Sequence, residues 1–188
     1  GGFFDSLHHA LFQVASIITT TGFATVDFNQ WPAFSKCILV LLMFIGACAG
    51  STGGGIKCSR VLMLLRAIRR EIHQIAHPRS VEVVKLDGKV AEESTVHSVL
   101  VFVGCYGLIL LGAALVVSLD KMPFDVSFSA ALTCLSNVGP GLAAIGPTGN
   151  FSGFSDLSKL ALSLCMIVGR LEIFPILVMF SARTWRRD

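Results

Sequence analysis

Charge is what this sequence has least of. Only 14% of its 188 residues are charged, against 53% hydrophobic, and the mean hydropathy is +0.73. A soluble domain carries about 25% charged residues. The shortage excludes a disordered chain and a nucleic-acid binder and argues against an ordinary soluble globule. Paired cysteine spacing is missing too: the six cysteines, at 37, 48, 58, 105, 134 and 165, include no C-x-x-C. They read as small buried hydrophobes, not as a disulfide or metal framework. No nucleophile–base arrangement and no pair of catalytic carboxylates stands out, so no enzyme chemistry is expected. The solvent left for so apolar a chain is lipid.

The charges that exist are unevenly placed. Lys57, Arg60, Arg66, Arg69, Arg70, Arg79, Lys85 and Lys89 fall in one stretch, and Arg183, Arg186 and Arg187 lie near the C-terminus. Basic residues flanking apolar spans mark the cytoplasmic side, so the loop after Arg69 and the C-terminus are expected there. Val99–Leu119 is 21 residues without a charge, long enough at 1.5 Å per residue to cross a bilayer core of about 30 Å. Leu160–Phe180 is a second apolar span, with Arg170 and Glu172 at its centre. Cys37–Ile68 is a third, interrupted by Gly46–Gly55, where five glycines among ten residues forbid a stable helix. Ala10–Ile18 and Phe128–Leu135 are apolar but too short to span, and read as core or re-entrant helices. Asp87-Gly88, between Val81–Lys85 and Lys89-Val90, predicts a small hairpin.

An internal repeat organises these pieces. Each short apolar segment runs into a polar glycine cluster, Thr19-Thr20-Thr21-Gly22-Phe23 in one copy and Ser136-Asn137-Val138-Gly139-Pro140-Gly141 in the other. Gly22 and Gly139 are 117 residues apart. Ser35-Lys36 leads to Gly46 as Ser158-Lys159 leads to Gly169, at an offset of 123. The unit is a short re-entrant helix, a glycine cluster, an outer loop, and a long helix with a mid-membrane glycine. The second copy is preceded by a full span and the first is not, so the chain is expected to be a fragment of a longer repeat protein.

Non-helical backbone at membrane depth is tolerated where it is buried in protein or lines a watery cavity. A short helix ending there points the negative end of its dipole at the pore, and the extended residues beyond it offer carbonyls that can replace the hydration shell of potassium. One Thr-Thr-Thr-Gly would be an ordinary turn; two in matching positions favour a pore. On the presumed outer side, Asp5, Asp27, Asp120, Asp125 and Asp156 outnumber Lys36, Lys121 and Lys159, which would concentrate cations. Arg170 is costly at membrane depth, at least about 2.5–3.5 kcal/mol. It reads equally as part of a gate and as a tie between helices, with the carbonyls of Gly46–Gly55 as its partners. Gly50–Lys57 lacks the G-K-[ST] ending of a phosphate-binding loop. His73 and His77 lack a third ligand, so a solvated helix face is expected there.

Thr19–Phe23, Cys48–Lys57, Asn137–Leu142 and Gly169-Arg170-Leu171-Glu172 together resemble the Trk-type potassium uptake proteins (TrkH/TrkG) of the Trk/Ktr/HKT superfamily. The resemblance covers nearly the whole chain. It implies an all-α integral membrane fold of helix–pore-loop–helix repeats, like a potassium channel, with a broken inner helix. Residues 1–76 would then hold the pore helix, filter and broken second helix of a third repeat, 77–96 a cytoplasmic loop, and 97–188 a complete fourth repeat. Thr20, Thr21, Gly22 and Phe23 would belong to one filter segment, and Asn137, Val138, Gly139 and Pro140 to the next, with potassium as the only metal and no organic cofactor. Gly50, Ser51, Thr52, Gly53, Gly54 and Gly55 would form the intramembrane loop that gates the pore, with Arg170 reaching it. The implied partners are membrane lipid, the remaining repeats, a second copy in a homodimer, and a cytosolic nucleotide-binding Trk regulatory subunit, but no nucleic acid. The implied location is the bacterial inner membrane, multi-pass. A secondary transporter with discontinuous helices and a non-conducting fragment are the alternative readings.

Overall fold

The computed structural model describes residues 2–46, 48, 50–51, 53–77, 83–86 and 89–171. The helices are α1 (Phe3–Ile18), α2 (Ala33–Phe44), α3 (Cys58–Ala76), α4 (Glu93–Ser118), α5 (Phe124–Ser136) and α6 (Asp156–Leu171). α4 has 26 residues, about 39 Å at helical rise, and contains the span expected at Val99–Leu119. α1 and α5 are the two short helices. Pro32 and Pro123 cap α2 and α5, where a missing N–H costs nothing. Ser155 starts α6, its hydroxyl accepting from the Ser158 amide at 3.3 Å. Ser155 also donates to Asp120 in the loop after α4, through its hydroxyl and its backbone amide, the latter at 3.0 Å, and so holds that carboxyl below the usual range.

The third apolar stretch is broken as its glycines require. α2 ends at Phe44. Two-residue strands β1 (Ile45–Gly46) and β2 (Ile56–Lys57) then pair in parallel, Ile45 with Ile56 and Gly46 with Lys57, closing the base of the glycine loop. α3 leaves on the far side. The matching glycine of the second copy, Gly169, does not break its helix, since α6 runs on to Leu171. One glycine among good helix formers is tolerated where a run of them is not. The small hairpin also forms: β3 (Lys85–Leu86) and β4 (Lys89–Val90) are antiparallel. Residues 81–82 and 87–88 of that reading, and Glu172–Phe180 of the second span, lie outside the described residues.

α5 is the centre of the molecule. Ten of its 13 residues are buried, because α4 and α6 pack on it and α2 approaches from the first copy. Its neighbours Leu39, Met43, Tyr106, Leu110 and Leu162 join it in the main core. In α1, its counterpart, only Gln13, Ser16 and Ile17 are buried. Phe3, Phe4, Leu7 and Leu11 stay exposed, since no described helix lies on α1 as α4 lies on α5. The cysteines divide: Cys134 and Cys165 are buried and Cys105 half-buried, but Cys37, Cys48 and Cys58 are exposed. The expectation of six buried cysteines is corrected there, because these three sit on the outer face of α2, in the glycine loop and at the start of α3. The Cys58 thiol donates to the Gly46 carbonyl at 3.2 Å.

α3 and α4 are joined by charge. Arg70 donates to both carboxylate oxygens of Glu93, at 2.7 and 2.8 Å, and to Glu71 at 3.2 Å. The Arg70 side chain is only 12% exposed and Glu93 is 73% exposed. Arg60 lies 4.0 Å over the Phe102 ring, a cation–π contact between the same helices. Glu93→Gln should lower the unfolding temperature in detergent, and the drop should shrink in high salt, which already screens so exposed a pair. A thermal-shift series across ionic strength measures both; equal melting at low salt would refute the tie.

Candidate functional site

The two glycine clusters fold into the same turn. In the first, Thr20 is left-handed (φ 55°) and Gly22 has φ 80°; in the second, Asn137 (φ 56°) and Gly139 (φ 109°) take those places. The Thr21 amide donates to the Ser16 carbonyl at 2.9 Å, and the Val138 amide to the Thr133 carbonyl at 3.0 Å. The Ser16 hydroxyl donates to the Phe23 carbonyl, and the Thr133 hydroxyl to the Pro140 carbonyl at 3.1 Å. Every one of these pairs is offset by 117 residues, the spacing of the two glycines. Ser16 and Thr133 were not singled out by sequence reasoning. Their signal was there: two hydroxyl residues in one register, four before the left-handed position.

The turns are braced unequally. Thr133 Oγ also accepts the Gly139 amide at 2.9 Å, and the Asn137 amide group donates to the Met166 carbonyl of α6 at 3.1 Å. In the first turn, Thr19 and Thr21 share a hydrogen bond at 2.8 Å, and His9 bonds the Thr25 hydroxyl at 3.0 Å. At matching positions Thr21 is exposed and Val138 is 3% exposed, so the second turn is anchored by that side chain and the first is not.

The turns also meet. A side chain at Gly22 would overlap the Val138 carbonyl oxygen, whereas one at Gly139 would meet nothing within 4 Å. Gly22 is therefore required twice, by its positive φ and by the oxygen facing it. Beneath the turns, the backbones of Gly54 and Gly169 press on the end of α5. A side chain at Gly54 would overlap the Ser136 carbonyl, and one at Gly169 the Leu135 carbonyl. The glycine loop thus reaches the last turn of the short helix, directly below the second glycine cluster. Tyr106 of α4 bonds the Ser136 hydroxyl at 2.8 Å in the same buried region.

Arg170 and the loop come together. Ser51, Gly53, Gly55, Lys57, Arg60, Gly169 and Arg170 share the lining of a cavity of about 50 Å³, with Phe102 and Tyr106 behind. Gly50 lies in the loop with a left-handed φ of 86°. Thr52 and Ala47 of the loop, and Glu172 beside Arg170, lie outside the described residues. The His73 and His77 rings lie 4.9 Å apart, tilted by 51°, and among the described residues no three His, Cys, Asp or Glu could hold a metal together.

An apolar crossing helix, two matching re-entrant helices with carbonyl-bearing turns, and a broken inner helix define an all-α integral membrane protein of pore-loop repeats. The chain belongs to the TrkH family of cation transport proteins, whose family model matches residues 4–187; these are transporters, not enzymes. It is 38% identical over 183 residues to a Trk system potassium uptake protein TrkH of Vibrio parahaemolyticus serotype O3:K6, covering 97% of this chain and 37% of that protein. It is 36% identical over 181 residues to the Trk system potassium uptake protein TrkG of Escherichia coli K12, covering 96% and 37%. The crystal structure of the potassium transporter TrkH from Vibrio parahaemolyticus matches with a TM-score of 0.88 at 38% identity, over 97% of this chain and 39% of that one. The chain thus spans little more than a third of the relatives it matches.

Proposed function

We propose that this chain supplies two neighbouring filter turns and the gating loop of a potassium uptake pore in the bacterial inner membrane. The observation that carries this is the pairing of the two turns: same dihedral pattern, same offset, with Gly22 facing the Val138 carbonyl. Thr20, Thr21, Gly22 and Phe23 on one side, and Asn137, Val138, Gly139 and Pro140 on the other, offer backbone oxygens to a dehydrated ion. The open space at Gly139 is where a further unit of the ring fits. Residues 1–76 and 97–188 then belong to successive repeats, with 77–96 as the cytoplasmic link between them. Gly50–Gly55 sits below the filter as the gate, with Arg170 at its side. A second copy and a cytosolic nucleotide-binding regulatory subunit complete the assembly.

The full-length protein in liposomes should pass potassium down a fixed potential with no added co-ion. Flux that requires a co-transported ion would instead mark a secondary transporter. Sidedness has its own test. With other reactive cysteines removed, Ser80→Cys, in the basic link, should resist a membrane-impermeant thiol reagent applied to intact cells. Rapid labelling from outside would overturn the orientation.

A further inference from the structure

We propose that Asn29 is a positioning residue for the second filter turn, acting across the boundary between the two repeats; this rests on the filter reading above. Asn29 lies in the single helical turn Phe28–Gln30 that follows the first filter turn. Its carboxamide grips the backbone of one residue 114 positions away. Nδ2 donates to the Ala143 carbonyl at 3.0 Å, and Oδ1 accepts the Ala143 amide at 2.8 Å. Ala143 is held at φ 52°, a left-handed conformation that a residue with a side chain adopts only under constraint.

Ala143 ends the irregular segment that follows Gly139 and opens the short helical turn Ala143–Ile145. The rest of that segment is pinned by its own repeat: Gly139 and Pro140 by Thr133, Leu142 by the Ser129 hydroxyl at 3.1 Å, and Gly141 by the Ile145 carbonyl at 2.7 Å. Among the described residues, only the last point is hydrogen-bonded from the other repeat. The grip is itself fixed. The Asn29 amide donates to the Asp27 carboxylate at 3.0 Å, Lys36 Nζ donates to the Asn29 carbonyl at 3.3 Å, and Phe28 is fully buried. A planar amide bonding both polar groups of one peptide residue sets direction as well as distance. Any slack at Ala143 passes down three residues to the Pro140 and Gly139 carbonyls.

The test is the potassium-to-sodium permeability ratio of the full-length protein in liposomes, per folded molecule. Asn29→Ala removes both bonds, and the ratio should fall about fivefold, as expected for one or two net hydrogen bonds. Asn29→Asp keeps an acceptor for the Ala143 amide but loses the donor, and should fall between. Ala143→Gly removes the conformational penalty the clamp sustains, so added to Asn29→Ala it should bring the ratio back to within about twofold of wild type. Gly139→Ser serves as the control for the filter itself. If Gly139→Ser lowers the ratio and the Asn29 variants do not, the positioning role is wrong and the filter reading stands. If the Asn29 variants lower only the yield of folded protein, while surviving molecules keep the wild-type ratio, Asn29 is a structural tie and the proposal fails. If no variant, Gly139→Ser included, changes the ratio, the filter reading falls and this inference with it.

Discussion

Gly139→Ser in the full-length protein should cut discrimination of potassium over sodium by about tenfold, the equivalent of roughly 1.4 kcal/mol. Gly139 has φ 109°, where a residue with a side chain is strained. Within this chain nothing lies within 4 Å of an added Cβ, so these two repeats leave room for the serine while its backbone relaxes. That relaxation rotates the carbonyls on either side of position 139 and spoils the spacing that selects the ion. Gly22→Ala should be worse: it meets the same backbone penalty and also overlaps the Val138 carbonyl. Its flux should fall in step with its selectivity, or folded protein should be lost. Reversal potentials in paired potassium and sodium gradients measure both variants. A wild-type ratio in well-folded Gly139→Ser would remove that turn from the filter.

The gate should respond in the opposite sense, by a gain. Arg170→Ala, or removal of residues 51–53, should raise ion flux per reconstituted molecule by about tenfold, the equivalent of roughly 1.4 kcal/mol of closed-state stabilisation. Dependence on the cytosolic regulatory partner should weaken in parallel. Three features support this. Arg170 shares a small cavity with Ser51, Gly53 and Gly55. Gly54 lies against the Ser136 carbonyl at the foot of α5. The loop's base is a two-residue parallel bridge leading into α3, which carries Arg60, Arg66, Arg69 and Arg70, so a pull on α3 reaches the loop directly. If Arg170 merely ties helices together, Arg170→Ala should lower folded protein without raising flux per molecule. Measuring flux with and without the partner separates the two roles. Unchanged partner-dependent flux in both variants would refute the gate.

Much of the architecture was legible in sequence because the physics concerned was local. A run of 21 uncharged residues can only cross lipid as a helix, and α4 is that helix. Five glycines in ten positions cannot stay helical, and α2 stops at Phe44. The offset of 117 aligned Gly22 with Gly139, so the two turns could be paired before their dihedral angles were known; that it also pairs Thr20 with Asn137 and Ser16 with Thr133 emerged only in the structure. Where local signals were even, the reading failed. The cysteines looked alike in sequence, yet three are exposed, because burial depends on which neighbour covers a face.

The sequence by itself determined that this chain lives in a membrane, that it repeats, and where its helices must break, since hydropathy, length and glycine content act within one segment. Only the tertiary structure decided what faces what. Gly22 meets the Val138 carbonyl, Gly54 meets Ser136, Asn29 grips Ala143, and Arg170 stands beside Ser51 and Gly53. Each of these joins residues between 82 and 119 positions apart. No periodicity encodes such a pairing, because it depends on how whole helices pack around α5, and that packing is set by the summed burial of many side chains rather than by any one motif.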